Sequence, residues 1–336
     1  MVPETHSTLN SRTAKPRIIR HPDGIAAVDA EYVHPGHAAV HIVQDGGRAA
    51  FIDTGTNFSV PYLMAALGEL GSSPEAVDHV FLTHVHLDHA GGAGLLMKEL
   101  PNARLYVHPR GMPHMVDPTN LVAASELVYG KDNFRRLYGD IQPVAKERIV
   151  TVPDGMRCTL GSRELELIHT PGHALHHCAI VDQAHSCVFT GDTFGVSYRA
   201  LDTREGPFIV PATTPSQFDP DQLIASIDRL MSYSPQSMYL MHYSRVTGLP
   251  RLAESLKSQI REFVEIVRRC ESREDAHDAI RTEMLDLWWT LLQRQGSELP
   301  RAEAARLLEN DLELNAQGLL FWARRLRRSA QQARPQ

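Results

Sequence analysis

The sequence predicts an α/β (α+β) protein with a strand-rich first part and an all-helical end, and three observations carry that prediction. Short apolar runs separated by turn residues recur through the opening stretch of the chain. A dense group of histidines and carboxylate, His84, His86, Asp88 and His89, follows the apolar residues Val80, Phe81 and Leu82 and precedes a helical pattern. Beyond Gly248 the apolar residues return at helical spacing as far as Arg328.

Taken in order, residues 1–16 are polar and read as a disordered lead, with no apolar run of the length a signal peptide needs. From Arg17 to Asp53, the runs Ile25 to Val28, Ala38 to Val43 and Ala49 to Ile52, with Asp45, Gly46 and Gly47 between the last two, predict a β-meander closed by a hairpin. His34, His37 and His41 fall in this stretch and are expected at the surface or at a pocket rim. Val60 to Leu70 predicts a helix with Pro61 in its first turn. Val77 to Leu82 then reads as a buried strand, and Ala90 to Leu100 as a helix with Leu95, Leu96 and Leu100 inward. On the turn between them, His84 and His86 lie two residues apart in extended backbone, so they point the same way and can share one ion. Asp88 and His89 are offset and can serve a second. Gly91 and Gly92 let the chain pass closely behind the group.

Residues 107–148 read as a helical insertion near this site, with His114 and Met115 as candidate pocket residues. Ile149 to Val152, Leu165 to Ile168 and Cys178 to Val181 resume the strands, and Asp221 to Met231 makes a further helix. Four helices are then expected: Pro250 to Cys270, Arg273 to Gln295, Pro300 to Asn310 and Asn315 to Arg328. Asn315 is expected to cap the last one, with Arg324, Arg325, Arg327 and Arg328 near its C-terminus.

Thr83, His84, His86, Asp88, His89, Gly91 and Gly92 fill every fixed position of the pattern THxHxDHxGG, and through it the sequence resembles the metallo-β-lactamase superfamily. The similarity extends from about Ile18 to Val246, and the helical end resembles the glyoxalase II branch. The resemblance implies a four-layer αββα sandwich, with residues 17–248 as the catalytic domain and residues 249–336 as a helical subdomain. It implies two divalent metal ions: His84, His86 and His173 on the first, Asp88, His89 and His242 on the second, and Asp192 bridging them. Zinc leads, with iron and manganese as alternatives that the same donor types accept. Asp53 corresponds to a buried carboxylate that orients a ligand histidine, with Thr83 and His177 as further outer groups. In related thioester hydrolases the stretch beginning Thr170, Pro171, Gly172, His173 continues as TPGHTxGH; here His177 matches the last histidine and His176 replaces the glycine.

The implied activity is hydrolysis of a small-molecule ester, thioester or lactone by attack of a metal-bridging hydroxide, with Asp88 steering the proton. Residues Thr193 to Arg199 and Gly206 to Pro215 form a long loop suited to a pocket wall. Tyr198 on it is a candidate donor to a developing oxyanion, and Arg199 and Arg245 are candidate anchors for an anionic substrate group. The alternatives are a phosphodiesterase on the same dinuclear site, a mononuclear-iron oxidoreductase of the persulfide dioxygenase type, and a non-catalytic ligand sensor.

A net charge of −6 on 336 residues gives no footprint for nucleic acid, and no run approaches the roughly 18 apolar residues of a membrane span, so the expected partner is a small molecule. Cys158, Cys178, Cys187 and Cys270 show no CxxC spacing and read as thiols of a cytoplasmic protein. The terminal helices are expected either to cover the substrate or to form a homodimer through Trp288, Trp289 and Trp322.

Overall fold

A computed structural model describes residues 15–213 and 217–332, with side-chain surroundings as far as Ser329. Most of the expected lead therefore lies outside the described residues, as do the last positions of the loop ending at Pro215. The chain divides into two compact units, residues 1–168 with 180–185, and residues 169–179 with 186–336.

In the first unit, β1 (Ile18–Arg20), β2 (Ile25–Asp29), β3 (Ala39–Asp45) and β4 (Arg48–Ile52) form an antiparallel meander. Gly46 and Gly47 both have positive φ, 56° and 76°, which the tight β3–β4 hairpin requires and which glycine adopts without a Cβ clash. Helix α1 (Val60–Glu69) begins with proline in its first turn and buries Val60, Leu63, Ala66 and Leu67, one apolar stripe at helical spacing. The chain then adds β5 (Val77–Phe81), β6 (Arg104–Val107) and β7 (Ile149–Thr151) in parallel. The crossovers hold α2 (Leu87–Ala90) and α3 (Ala93–Glu99), and then α4 (Met112–Val116), α5 (Thr119–Tyr129) and α6 (Lys131–Tyr138). All five residues of β2 are buried, the apolar run Ile25 to Val28 and then Asp29, so the strand does not alternate between an inner and an outer face. β8 (Met156–Leu160) and β9 (Arg163–His169) pair as an antiparallel hairpin.

Three expectations need correction here. His41 faces the core of β3, only 2% exposed, and burial pushes its imidazole down to about 3, so it is neutral. His37 is buried as well, leaving His34 on the surface. Leu95 is half-buried, and Met97 takes an inward place beside Leu96.

The second unit begins at His169 and includes the first residues of β10 (Cys178–Asp182). It continues with β11 (Cys187–Gly191), α7 (Pro220–Ser232), β12 (Ser237–Leu240) and β13 (Ser244–Val246). β11 and β12 run parallel, with Val188 opposite Met238 and Phe189 opposite Tyr239, and β13 returns antiparallel. Four helices follow: α8 (Leu249–Cys270), α9 (Ala276–Arg294), α10 (Arg301–Leu307) and α11 (Glu309–Gln332). Leu252, Leu256, Ile260, Phe263 and Val267 form the buried face of α8, as their spacing predicts. Trp288 lies in the core, its indole N–H donating to Gln259 Oε1 at 2.9 Å, and Trp322 is also buried. Trp289, the third tryptophan of the expected face, is half-buried on α9.

The end of the chain departs from the sequence reading. α11 starts at Glu309, so Asn315 is an interior residue of the helix and not its cap, and no arginine falls in its last described turn. Arg325 donates to the Phe218 carbonyl at 2.6 Å, and Arg327 pairs with Glu271. Among the described residues the strands fall into a seven-stranded sheet, β1–β7, and a six-stranded sheet, β8–β13, both of mixed direction, which is the α/β class expected.

Candidate metal centre

The histidine group of the first unit sits where β5 ends and α2 begins, so a rigid strand and a short helix fix the turn between them. Asp53 follows β4, the neighbour of β5, with φ of 62°, a region in which aspartate is among the few side chains commonly found. Its carboxylate accepts from the Thr83 backbone N–H at 2.8 Å, from the Thr83 hydroxyl at 2.8 and 3.0 Å, and from His89 Nδ1 at 2.8 Å. Because a carboxylate only accepts, the His89 proton is on Nδ1, and in the neutral ring Nε2 carries the lone pair. That nitrogen lies 3.9 Å from Asp88 Oδ2. His84 Nε2 and His86 Nδ1 approach to 2.8 Å, and the His84 and His89 rings are 4.0 Å apart between centroids. Gly92 must be glycine: a Cβ there would stand 2.7 and 2.8 Å from the carbonyl oxygens of Thr56 and Thr54.

Asp88 also influences a tyrosine cluster that the sequence did not single out. Tyr32 and Tyr138 share a 2.9 Å hydrogen bond between hydroxyls, and the Tyr129 ring lies 5.6 Å from that of Tyr138. Burial first, and the Asp88 charge among the further causes, hold all three phenols above their ordinary range. They are neutral donors at physiological pH.

In the second unit, His173 follows the Pro171–Gly172 turn. Gly172 has φ of 131°, and a Cβ there would stand 2.3 Å from Leu223 Cα, so only glycine lets α7 pack against this turn. His173 Nδ1 donates to the Ala212 carbonyl at 2.9 Å, which leaves Nε2 as the lone-pair nitrogen, 3.5 Å from Asp192 Oδ2. His242, just past β12, places Nε2 3.9 Å from Asp192 Oδ1. His177 Nε2 accepts from the Asp192 backbone N–H at 3.2 Å, and its Nδ1 is 2.8 Å from the Thr170 hydroxyl and 3.1 Å from that of Thr193. It therefore holds the backbone at Asp192. His176 is buried beside it.

Residues 33–242 match the Metallo-beta-lactamase superfamily. The chain belongs to that superfamily. Metallo-beta-lactamase fold-containing protein ST1585 of Sulfurisphaera tokodaii is 24% identical over 236 residues, covering 69% of this chain and 82% of its own. Its crystal structure superposes with a TM-score of 0.63 at 22% identity, covering 88% of this chain and 98% of that one, and so shares the fold. Acyl-coenzyme A thioesterase MBLAC2 of Gallus gallus is 26% identical over 181 residues, covering 50% of this chain. Hydroxyacylglutathione hydrolase of Aeromonas salmonicida is 28% identical over 127 residues, covering 38% of this chain. The chain spans 62% and 37% of the lengths of these last two relatives.

The donor sets of both units suit the metals this superfamily binds. Each offers imidazole nitrogen and carboxylate oxygen and no thiolate, and all four cysteines are free and outside these groups. In each unit one imidazole is tethered at Nδ1, His89 by Asp53 and His173 by Ala212, so that Nε2 faces a carboxylate. Such tethering is how metal ligands are oriented and their basicity raised.

The other candidate residues are placed as follows. Tyr198 is buried and its hydroxyl donates to Asp311 Oδ1 at 3.2 Å. Arg199 is half-buried, bonded to the Ser197 carbonyl at 2.7 Å and paired with Asp202 at 3.3 Å, and burial lowers its pKa. Arg245 is half-buried on β13, and His114 is half-buried on α4. Asp311 went unread in the sequence. It is buried, its Oδ2 has no hydrogen-bond partner among the described residues, and burial pushes its carboxyl up to about 6, against the pull of His242.

Proposed function

We propose that the protein is a dinuclear metal hydrolase that cleaves an ester, thioester or lactone of a small molecule. His84, His86 and His173 would hold one ion, Asp88, His89 and His242 the other, with Asp192 shared. The carrying observation is the matched tethering of His89 and His173, each with Nδ1 donated away and Nε2 beside a carboxylate. When bound, the ions would supply a water acidic enough to be nucleophilic near neutral pH and would polarise the bond under attack.

The protein's own groups would do the rest. Asp53 keeps the His89 proton on Nδ1 and carries a compensating negative charge behind it. His177 and Thr170 hold the backbone from which Asp192 projects. Asp88, partly open to solvent, is the carboxylate suited to take and pass a proton. Tyr32, Tyr129 and Tyr138, held neutral mainly by burial, would leave Asp88 as the carboxylate of this cluster.

Thioesters lead among the carbonyl substrates because two relatives are named as an acyl-coenzyme A thioesterase and a hydroxyacylglutathione hydrolase. The test is turnover of a panel containing acyl-coenzyme A and acylglutathione thioesters, lactones and phosphodiesters, by wild type and by His84→Ala. Metal-dependent carbonyl cleavage abolished in His84→Ala is the expected result. Phosphodiester cleavage alone, or turnover unchanged in His84→Ala, overturns the reading.

A further inference from the structure

The Ala212 carbonyl that fixes His173 is itself held from α11. Thr213 donates to Asn315 Oδ1 through both its backbone N–H, at 2.5 Å, and its hydroxyl, at 2.6 Å. On the other side of Ala212, the Pro211 carbonyl accepts from Asn315 Nδ2 at 3.1 Å. One side-chain amide thus spans the residue whose carbonyl receives the His173 proton. The amide orientation follows from its partners: a backbone N–H can only donate and a carbonyl can only accept, so the reversed amide would lose both bonds. Asn315 is 2% exposed, and Thr213 and His173 are fully buried, so water does not substitute for these contacts. Asparagine inside a helix normally points to solvent or competes with the backbone. Here its hydrogen-bonding capacity is spent on a segment about a hundred residues earlier.

We propose that Asn315 is a positioning residue of the metal centre: α11 sets the direction and tautomer of His173 through the segment Pro211–Thr213. The inference rests on the reading of His173 as a metal ligand, and its test separates the two. Loss of outer hydrogen bonds to a metal-binding histidine typically costs 10–100-fold in metal affinity. Asn315→Leu removes both halves of the clamp at similar size.

The experiment is competition of Co(II), and then Zn(II), against a chromogenic chelator for wild type, Asn315→Leu, His173→Ala and the double variant. Asn315→Leu is expected to weaken the metal that uses His173 by roughly 10–100-fold and to shift the Co(II) visible bands. In the His173→Ala background it should cost nothing more, because its route to the metal has already been removed. Equal losses in both backgrounds would show a general structural role and overturn the proposal, as would unchanged affinity in the single variant. If Asn315→Leu does not fold, Thr213→Ala, which removes only the hydroxyl limb, replaces it in the same cycle with a smaller expected loss and the same two overturning results. A wild type that binds no metal would defeat the proposed function itself.

Discussion

His89 Nδ1 lies 2.8 Å from Asp53 Oδ2, both side chains almost wholly buried, and the same carboxylate accepts from the Thr83 N–H and hydroxyl. Every acceptor direction of Asp53 that the first unit uses is therefore directed to the turn carrying the histidine group. Asp53→Asn keeps the shape but offers an amide where His89 and Thr83 both need an acceptor. Metal affinity and turnover should fall by about 10–100-fold. Asp53→Ala should also lower stability by about 1–3 kcal/mol, since the buried Thr83 N–H loses its partner. Chelator competition and chemical denaturation of the two variants measure the two effects separately.

Gly172 makes a sharper prediction. An alanine there would have to keep φ of 131° and place its Cβ 2.3 Å from the Leu223 backbone, so α7 and the turn bearing His173 must move apart. Gly172→Ala should cost about 2 kcal/mol or more of stability and weaken metal binding together. Gly36→Ala, at a positive-φ glycine with open space around it, is the control for backbone strain alone. It should lower the thermal midpoint without touching metal affinity.

The histidine turn was legible because its chemistry is written in consecutive residues. His84, His86, Asp88 and His89 are close in space because they are close in sequence, and Asp53, at the end of an apolar run, was read through the family pattern. Asp311 and Asn315 could not be read in either way. They lie four apart on one face of α11, and polar residues at that spacing read as a solvated stripe until the helix is packed against the loop before α7. The tyrosine cluster was hidden likewise, since Tyr32, Tyr129 and Tyr138 come from three separate segments. His41 misled for the opposite reason: a histidine in a strand run looks like a break in the apolar pattern, yet its ring is buried and uncharged.

The Asp311 carboxyl gives a pH prediction for metal-free protein. Its pKa in the folded chain is about 6, above the ordinary 3.8, so folding disfavours its ionised form. Well below pH 3.8 the group is protonated in both states and costs nothing. As pH rises through 6 the cost develops in full, on the order of 2–3 kcal/mol for this shift. His41 acts in the other direction, since its pKa of about 3 lies below the ordinary 6.5 and its burial costs stability as pH falls below that value. The measurement is therefore a difference: Asp311→Asn should gain stability relative to wild type as pH rises from 4 to 7. A difference that does not change with pH would remove Asp311 from the titrating groups.

The most direct test is the metal content of protein purified without added metal, by elemental analysis on wild type and on His173→Ala. The account predicts about two equivalents of divalent metal per chain in wild type, the complement of a two-metal hydrolytic site, and a clear loss in the variant. About one equivalent of iron without hydrolysis of any thioester or lactone, or metal content equal in the two proteins, would contradict it.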